Sequence, residues 1–171
     1  EDDYFQSSLF TIARRRILWL LILVLANGLT TKVIAMNDQI LKEIVLLAAF
    51  IPLLIGTGGN VGAQSSTVVI RGLSTQKLKS LGAVKAVVKE AITGALLGVL
   101  MMLVVFPFAW WQGEGPLIAS AVGISLISIT TLAATTGAIL PLLFDRMKLD
   151  PALMSSPFIT TVTDIAGVFI Y

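Results

Sequence analysis

Apolar residues come in five long blocks separated by short polar connections. The first runs from Ile17 to about Val33, directly after Arg14, Arg15 and Arg16. The second extends from Ile44 to Ile70, and the third from Ala91 to Phe108, closed by Trp110 and Trp111. A fourth covers Leu117 to Phe144, and a fifth begins at Asp150-Pro151 and is still apolar at Tyr171. A helix of about 20 residues crosses about 30 Å of hydrocarbon, and every block reaches that length. The pattern predicts five transmembrane helices, over approximately 14–35, 43–71, 89–110, 116–144 and 151–171. The predicted fold is all-α, a polytopic integral membrane protein. Buried helices of a large soluble protein are the competing reading, which the block lengths disfavour.

Composition agrees with the bilayer. Of the 171 residues 56% are hydrophobic and 13% charged, and the mean hydropathy is +0.93. Soluble domains carry about 25% charged residues, so this chain has too few charges to solvate a surface of its size. The sign of the charges then orients it. The N-terminal flank and the second and fourth connections hold ten of the 12 Lys and Arg; Lys32 and Lys42 alone lie on the first and third connections. Positive residues stay inside, so the N-terminus is predicted cytoplasmic and the C-terminus outside, in a multi-pass protein of the plasma membrane. Cations at block ends suit a lipid surface rather than nucleic acid. The lysine-bearing stretch Ser74 to Glu90 carries apolar Leu78, Leu81, Val84 and Val88, which predicts an amphipathic helix along the inner surface. Since the chain begins at Glu1 without Met and stops within an apolar run, it reads as a piece of a longer protein.

Polar residues at membrane depth are where function is sought. In the second block, Ile44 to Ile55 is about 18 Å of helix, so the span must include Gly56-Thr57-Gly58-Gly59-Asn60-Val61-Gly62-Ala63-Gln64. Pro52 one turn earlier predicts a loosened ladder. Two roles are open. The glycines can expose carbonyl oxygens to a hydrated ion, beside the Asn60 and Gln64 amides at i, i+4 spacing. Alternatively, Gly58 and Gly62 serve close helix packing. The Ser and Thr residues of the fourth block are read mostly as packing, with hydroxyls returned to the helix backbone.

In the fifth block, Asp150 caps a helix with Pro151 in its first turn. Ser156, Thr160, Thr163, Asp164 and Gly167 fall on one face, while Phe158, Ile159, Val162, Ile165 and Phe169 point elsewhere. Asp164 lies about 21 Å beyond Asp150, well inside the membrane. Intramembrane acids are costly and ordinarily face a pathway. Lys and Arg stand only at the ends of the predicted spans, at Arg14 to Arg16, Lys32, Arg71 and Lys89, so none lies at depth to pair with it. A buried acid among amides, hydroxyls, carbonyls and water suits a hard cation such as Mg²⁺ or Ca²⁺. One carboxylate cannot balance a divalent ion, whereas a two-fold homodimer supplies two, with a pore on its axis.

The run Pro52 to Gln64, followed by Ser65, Ser66 and Arg71, resembles the second transmembrane helix of the MgtE family of magnesium channels. Asp150-Pro151-Ala152, Pro157 and Thr163-Asp164-Ile165-Ala166-Gly167 resemble that family's fifth helix. The resemblance implies a homodimer with the second and fifth helices lining a central pore. It implies that Asp164 takes the place of the selectivity-filter Asp holding hydrated Mg²⁺. Asp150 takes the inner acidic position, and Asn60 matches the Asn of the glycine motif. Ser156 stands where the family pattern has Asn. The expected metal-binding residues are thus Asp164, Asp150, Asn60, Gly59, Thr160 and Ser156. Cytosolic Mg²⁺-binding regulatory domains are implied for the full-length protein, outside these 171 residues. Glu1, Asp2 and Asp3 are then the end of the region that joins them to the pore.

Two rivals differ in class. A secondary carrier for Mg²⁺ or another divalent cation would use the same Asp164 without a continuous pore. An intramembrane enzyme is the other. The chain has no His and no Cys, which removes serine–histidine and thiol chemistry together with zinc and haem sites. An aspartyl pair would need two facing acids, and only Asp164 is deep in a span. The chain is therefore not expected to be an enzyme.

Overall fold

A computed structural model describes residues 9–36, 45–75, 78, 82–112 and 115–171. Its described elements are five α-helices: α1 (Leu9–Met36), α2 (Val45–Ser74), α3 (Ala83–Trp111), α4 (Gly115–Arg146) and α5 (Pro151–Ile170). The all-α expectation holds. α3 and α4 are each long and apolar enough to cross a membrane. The acidic start Glu1–Asp3 lies outside the described residues.

α4 is the centre of the bundle. It packs along α3 on one side and along α2 and α5 on the other, and α2 also packs on α5. α2 and α3, although consecutive, barely touch. The cause lies in the residues that α4 presents. Val122, Leu126 and Ile129 are fully buried on it, between Ala119, Ala133, Ala134 and Ala138. Small residues let neighbouring backbones approach, and the larger ones fill the space between. On α3, Gly94 lies against the backbone of Thr130 and Gly98 against that of Ile127, so the two axes run close. α1 is different. It touches only α5 among the described helices, and Leu20, Leu21, Val24, Leu25 and Leu29 along it are exposed. A helix apolar on several sides with so little protein around it suits lipid or another chain.

The α4–α5 reversal is set by backbone geometry. The Leu149 amide donates to the Phe144 carbonyl at 2.9 Å and the Lys148 amide to the Asp145 carbonyl at 3.0 Å. This is a Schellman ending, with Lys148 in the left-handed conformation at φ 59°. Asp150 follows, exposed, and Pro151 opens α5. Phe144 and Phe158 meet at 5.5 Å across the reversal and hold the two helix ends together.

Two expectations are corrected. The stretch 74–90 is not one surface helix: Gly82, at φ 84°, interrupts it, and residues 83–90 are the first turns of α3. The amide of Gly82 donates to the carbonyl of Leu78, whose side chain lies over Gly72. Nor is the ladder after Pro52 loosened enough to interrupt α2, which stays helical through Gly56–Gln64. Pro52 lies on the exposed side, where it forfeits a ladder bond to Ala48 without stopping the helix.

Candidate ion site

α2 sorts its glycine run by face. Phe50, Leu54, Gly58, Val61, Gly62, Ser65, Ser66 and Val69 are buried against the bundle, at helical spacing. Gly58 and Gly62 are there because no side chain fits. A Cβ on Gly58 would strike Thr163 and come within 2.6 Å of Ile129. On Gly62 it would come within 2.5 Å of Ile159 and 3.3 Å of the Ala133 carbonyl oxygen. Gly56, Asn60, Ala63, Gln64 and Thr67 occupy the other face and are exposed. Gly56 and Gly59 meet nothing within 4 Å of a notional Cβ. Thus packing accounts for Gly58 and Gly62. It does not account for Gly56, Gly59, Asn60 and Gln64, which face away from their own chain. The helix keeps the motif's carbonyls in its ladder, so the polar groups offered outward here are the amides of Asn60 and Gln64. Neither makes a hydrogen bond among the described residues.

α5 divides the expected polar face. Ile159, Thr163 and Gly167, spaced by four, form the buried stripe. Ile159 thus packs inward against Gly62 rather than pointing elsewhere, because Gly62 leaves a hollow for its branched side chain. Thr163 is fully buried against Gly58, and its hydroxyl makes no hydrogen bond among the described residues. Thr160 and Asp164, one position further round the helix, are half-buried. Asp164 forms no ion pair or hydrogen bond among the described residues. The α5 backbone at Ser156 is helical, but its side chain lies outside the described residues. Asp150 is exposed at the α4–α5 reversal, far along α5 from Asp164.

The packing of α2 on α5 therefore brings the Gly58–Gly62 seam to Thr163 and Ile159, with Asp164 at its edge. It does not gather the acids: no three Asp or Glu side chains converge among the described residues. Among the described residues, the α2–α5 seam is thus edged by one half-buried carboxylate and two outward amides, the kinds of group that a hydrated cation takes. The α4 hydroxyls contribute little to such a site. Ser120, Ser128, Thr130, Thr131 and Thr135 each donate to the carbonyl four residues earlier, at 2.6–3.0 Å. The steric seam on α2 was legible as small-residue spacing. What spacing alone missed is that Thr163 serves that seam rather than the face of Asp164.

A family model described as MgtE, divalent cation transporter, matches residues 51–171. The magnesium transporter MgtE of Thermus thermophilus is 38% identical over 156 residues, which is 91% of this chain and 34% of that protein. That of Bacillus subtilis is 34% identical over 172 aligned residues, covering 100% of this chain and 38% of its own length. That of Enterococcus faecalis is 34% identical over 93% of the chain. The chain spans little more than a third of the length of these curated relatives. The matched region takes in both the Gly58–Gly62 seam and Asp164, and the chain belongs to the MgtE family of divalent cation transporters.

Proposed function

We propose that this chain is the transmembrane part of a Mg²⁺ channel, working as a homodimer. All five helices span the bilayer, with the N-terminus cytoplasmic and the C-terminus outside. The observation that carries the proposal is Asp164: a half-buried carboxylate without a partner among the described residues, beside the α2–α5 seam of a chain of this family. Two copies place two Asp164 carboxylates about one axis, which matches the charge of a divalent ion. The ion keeps its inner water, because Mg²⁺ dehydrates reluctantly and one or two carboxylates ordinarily hold it through that water. Asn60 and Thr160 supply further polar contacts to that water, and Gly59 leaves room for it. Asp150 and Ser156 lie nearer the inner mouth, where Asp150 attracts cations. Regulatory domains of the full-length protein act on this end of α5.

Mg²⁺ flux into liposomes tests the reading. Asp164→Asn keeps size and removes both charges of the pair. At an effective dielectric near 20, a unit charge about 4 Å away is worth about 4 kcal/mol, and intervening water reduces but does not abolish it. Flux is expected to fall at least about a hundredfold, the equivalent of about 2.7 kcal/mol, with dimer content unchanged by gel filtration. Near-normal flux would overturn the filter role. Unitary currents distinguish a pore from a carrier.

A further inference from the structure

Because α2 and α3 both lie on α4 and barely meet, a cleft remains between them. At its charged end it holds a cavity of about 270 Å³. Arg71 and Thr75 from α2 and its C-terminal turn, and Lys89 and Glu90 from α3, line it, over an apolar floor that includes Val68 and Ala86. Leu78 closes one wall by packing over Gly72. Arg71 and Lys89 are exposed, and neither forms an ion pair among the described residues. The lining thus carries two cations against one anion, from two helices, above a hydrophobic base.

We infer that this cavity binds the phosphate of an anionic phospholipid, whose acyl chain lies in the cleft between α2 and α3. The inference rests on the membrane embedding proposed above. Depth supports it: Lys89 is 21 residues before Trp110, about 31 Å of helix, which matches the thickness of the hydrocarbon. With Trp110 and Trp111 exposed at one interface, Arg71 and Lys89 sit at the other, at headgroup level. Basic pockets between helices on the inner side are suited to lipid headgroups. The apolar side of the cleft favours a lipid over a free anion. Val68, which lines it, is exposed, and Val69, Leu78 and Ala86 complete its apolar surface. A volume of about 270 Å³ leaves room for a phosphate with water around it.

Native mass spectrometry of the full-length protein in micelles doped with phosphatidylglycerol or phosphatidylcholine of matched chains tests this. Phosphatidylglycerol should be retained preferentially. Each lost cation should weaken retention about fivefold, and Arg71→Gln with Lys89→Gln about thirtyfold; Arg71→Lys with Lys89→Arg should restore it. Equal retention of the two lipids, or retention unchanged in the double Gln variant, would overturn the site. Displacement of phosphatidylglycerol by millimolar inorganic phosphate would assign the cavity to a soluble anion and overturn the lipid. A disulfide between copies of Val68→Cys would show the cleft filled by a second chain, with the same consequence. Incorporation of the wild-type protein into vesicles is scored separately, so that failed embedding is distinguishable from an absent lipid site.

Discussion

Gly62 of α2 and Gly137 of α4 meet backbone to backbone: a Cβ on Gly137 would fall onto the carbonyl oxygen of Gly62. Backbone cannot swing aside as a side chain can, so Gly137→Ala must separate the two helices. Overpacking of this kind costs about 1–3 kcal/mol, and the rigid neighbour places this site at the upper end. Gly56→Ala meets nothing within 4 Å and removes glycine from an exposed helix position. It should stabilise the fold by up to about 1 kcal/mol. Thermal unfolding of both variants in detergent checks the contrast, and equal midpoints would contradict the close contact.

Thr163 offers the opposite test, removal rather than addition. Its hydroxyl is buried against the Gly58 seam without a hydrogen bond among the described residues. Thr163→Val keeps the shape and deletes an unsatisfied group, whose burial ordinarily costs about 1–3 kcal/mol. The variant is expected to unfold at a higher temperature than the parent. A lower midpoint would mean that the hydroxyl finds a partner, such as a water shared with Asp164.

The two faces of α2 and α5 also predict where copies of the chain can meet. The chain contains no Cys, so single cysteines report cleanly. Asn60→Cys and Thr160→Cys should be joined between copies in native membranes by a short bifunctional thiol cross-linker, since a hydrated ion between them keeps the sulfurs too far apart for a direct disulfide. Ile159→Cys should not, since Ile159 is buried within its own chain against Gly62. Cross-linking at position 159 with none at 60 or 160 would place the dimer axis elsewhere.

Lys148 occupies a left-handed backbone position at the end of α4. For a residue with a Cβ that conformation costs about 1–2 kcal/mol, and glycine adopts it freely. Lys148→Gly should therefore raise the unfolding midpoint modestly while leaving the reversal, and Asp150 beyond it, in place. Lys148→Val should lower it, because a branched Cβ crowds the left-handed region further.

Much of this protein follows from its sequence alone. Block length and the scarcity of charged residues pointed to helices in a membrane, because hydrocarbon thickness and charge solvation act on composition directly. The same holds for Asp164, an acid without a cationic neighbour anywhere in its span. Tertiary structure decided which residue of each motif does what. Spacing on α2 left packing and ion contact open for the same glycines. Only the approach of α4 and α5 divides them, enclosing Gly58 and Gly62 and leaving Gly56, Gly59 and Asn60 outside. On α5, a helical projection grouped Thr163 with Asp164. The hollow over Gly58 turns Thr163 inward and leaves Asp164 at the edge. The stretch before α3 could not be resolved by amphipathicity, since lysines on the first turns of a membrane helix look like those of a surface helix. Gly82, at positive φ, makes the difference. Faces and depths along one helix are local properties that periodicity carries. Which face meets a partner depends on how closely two backbones approach, and that is settled only when the helices pack.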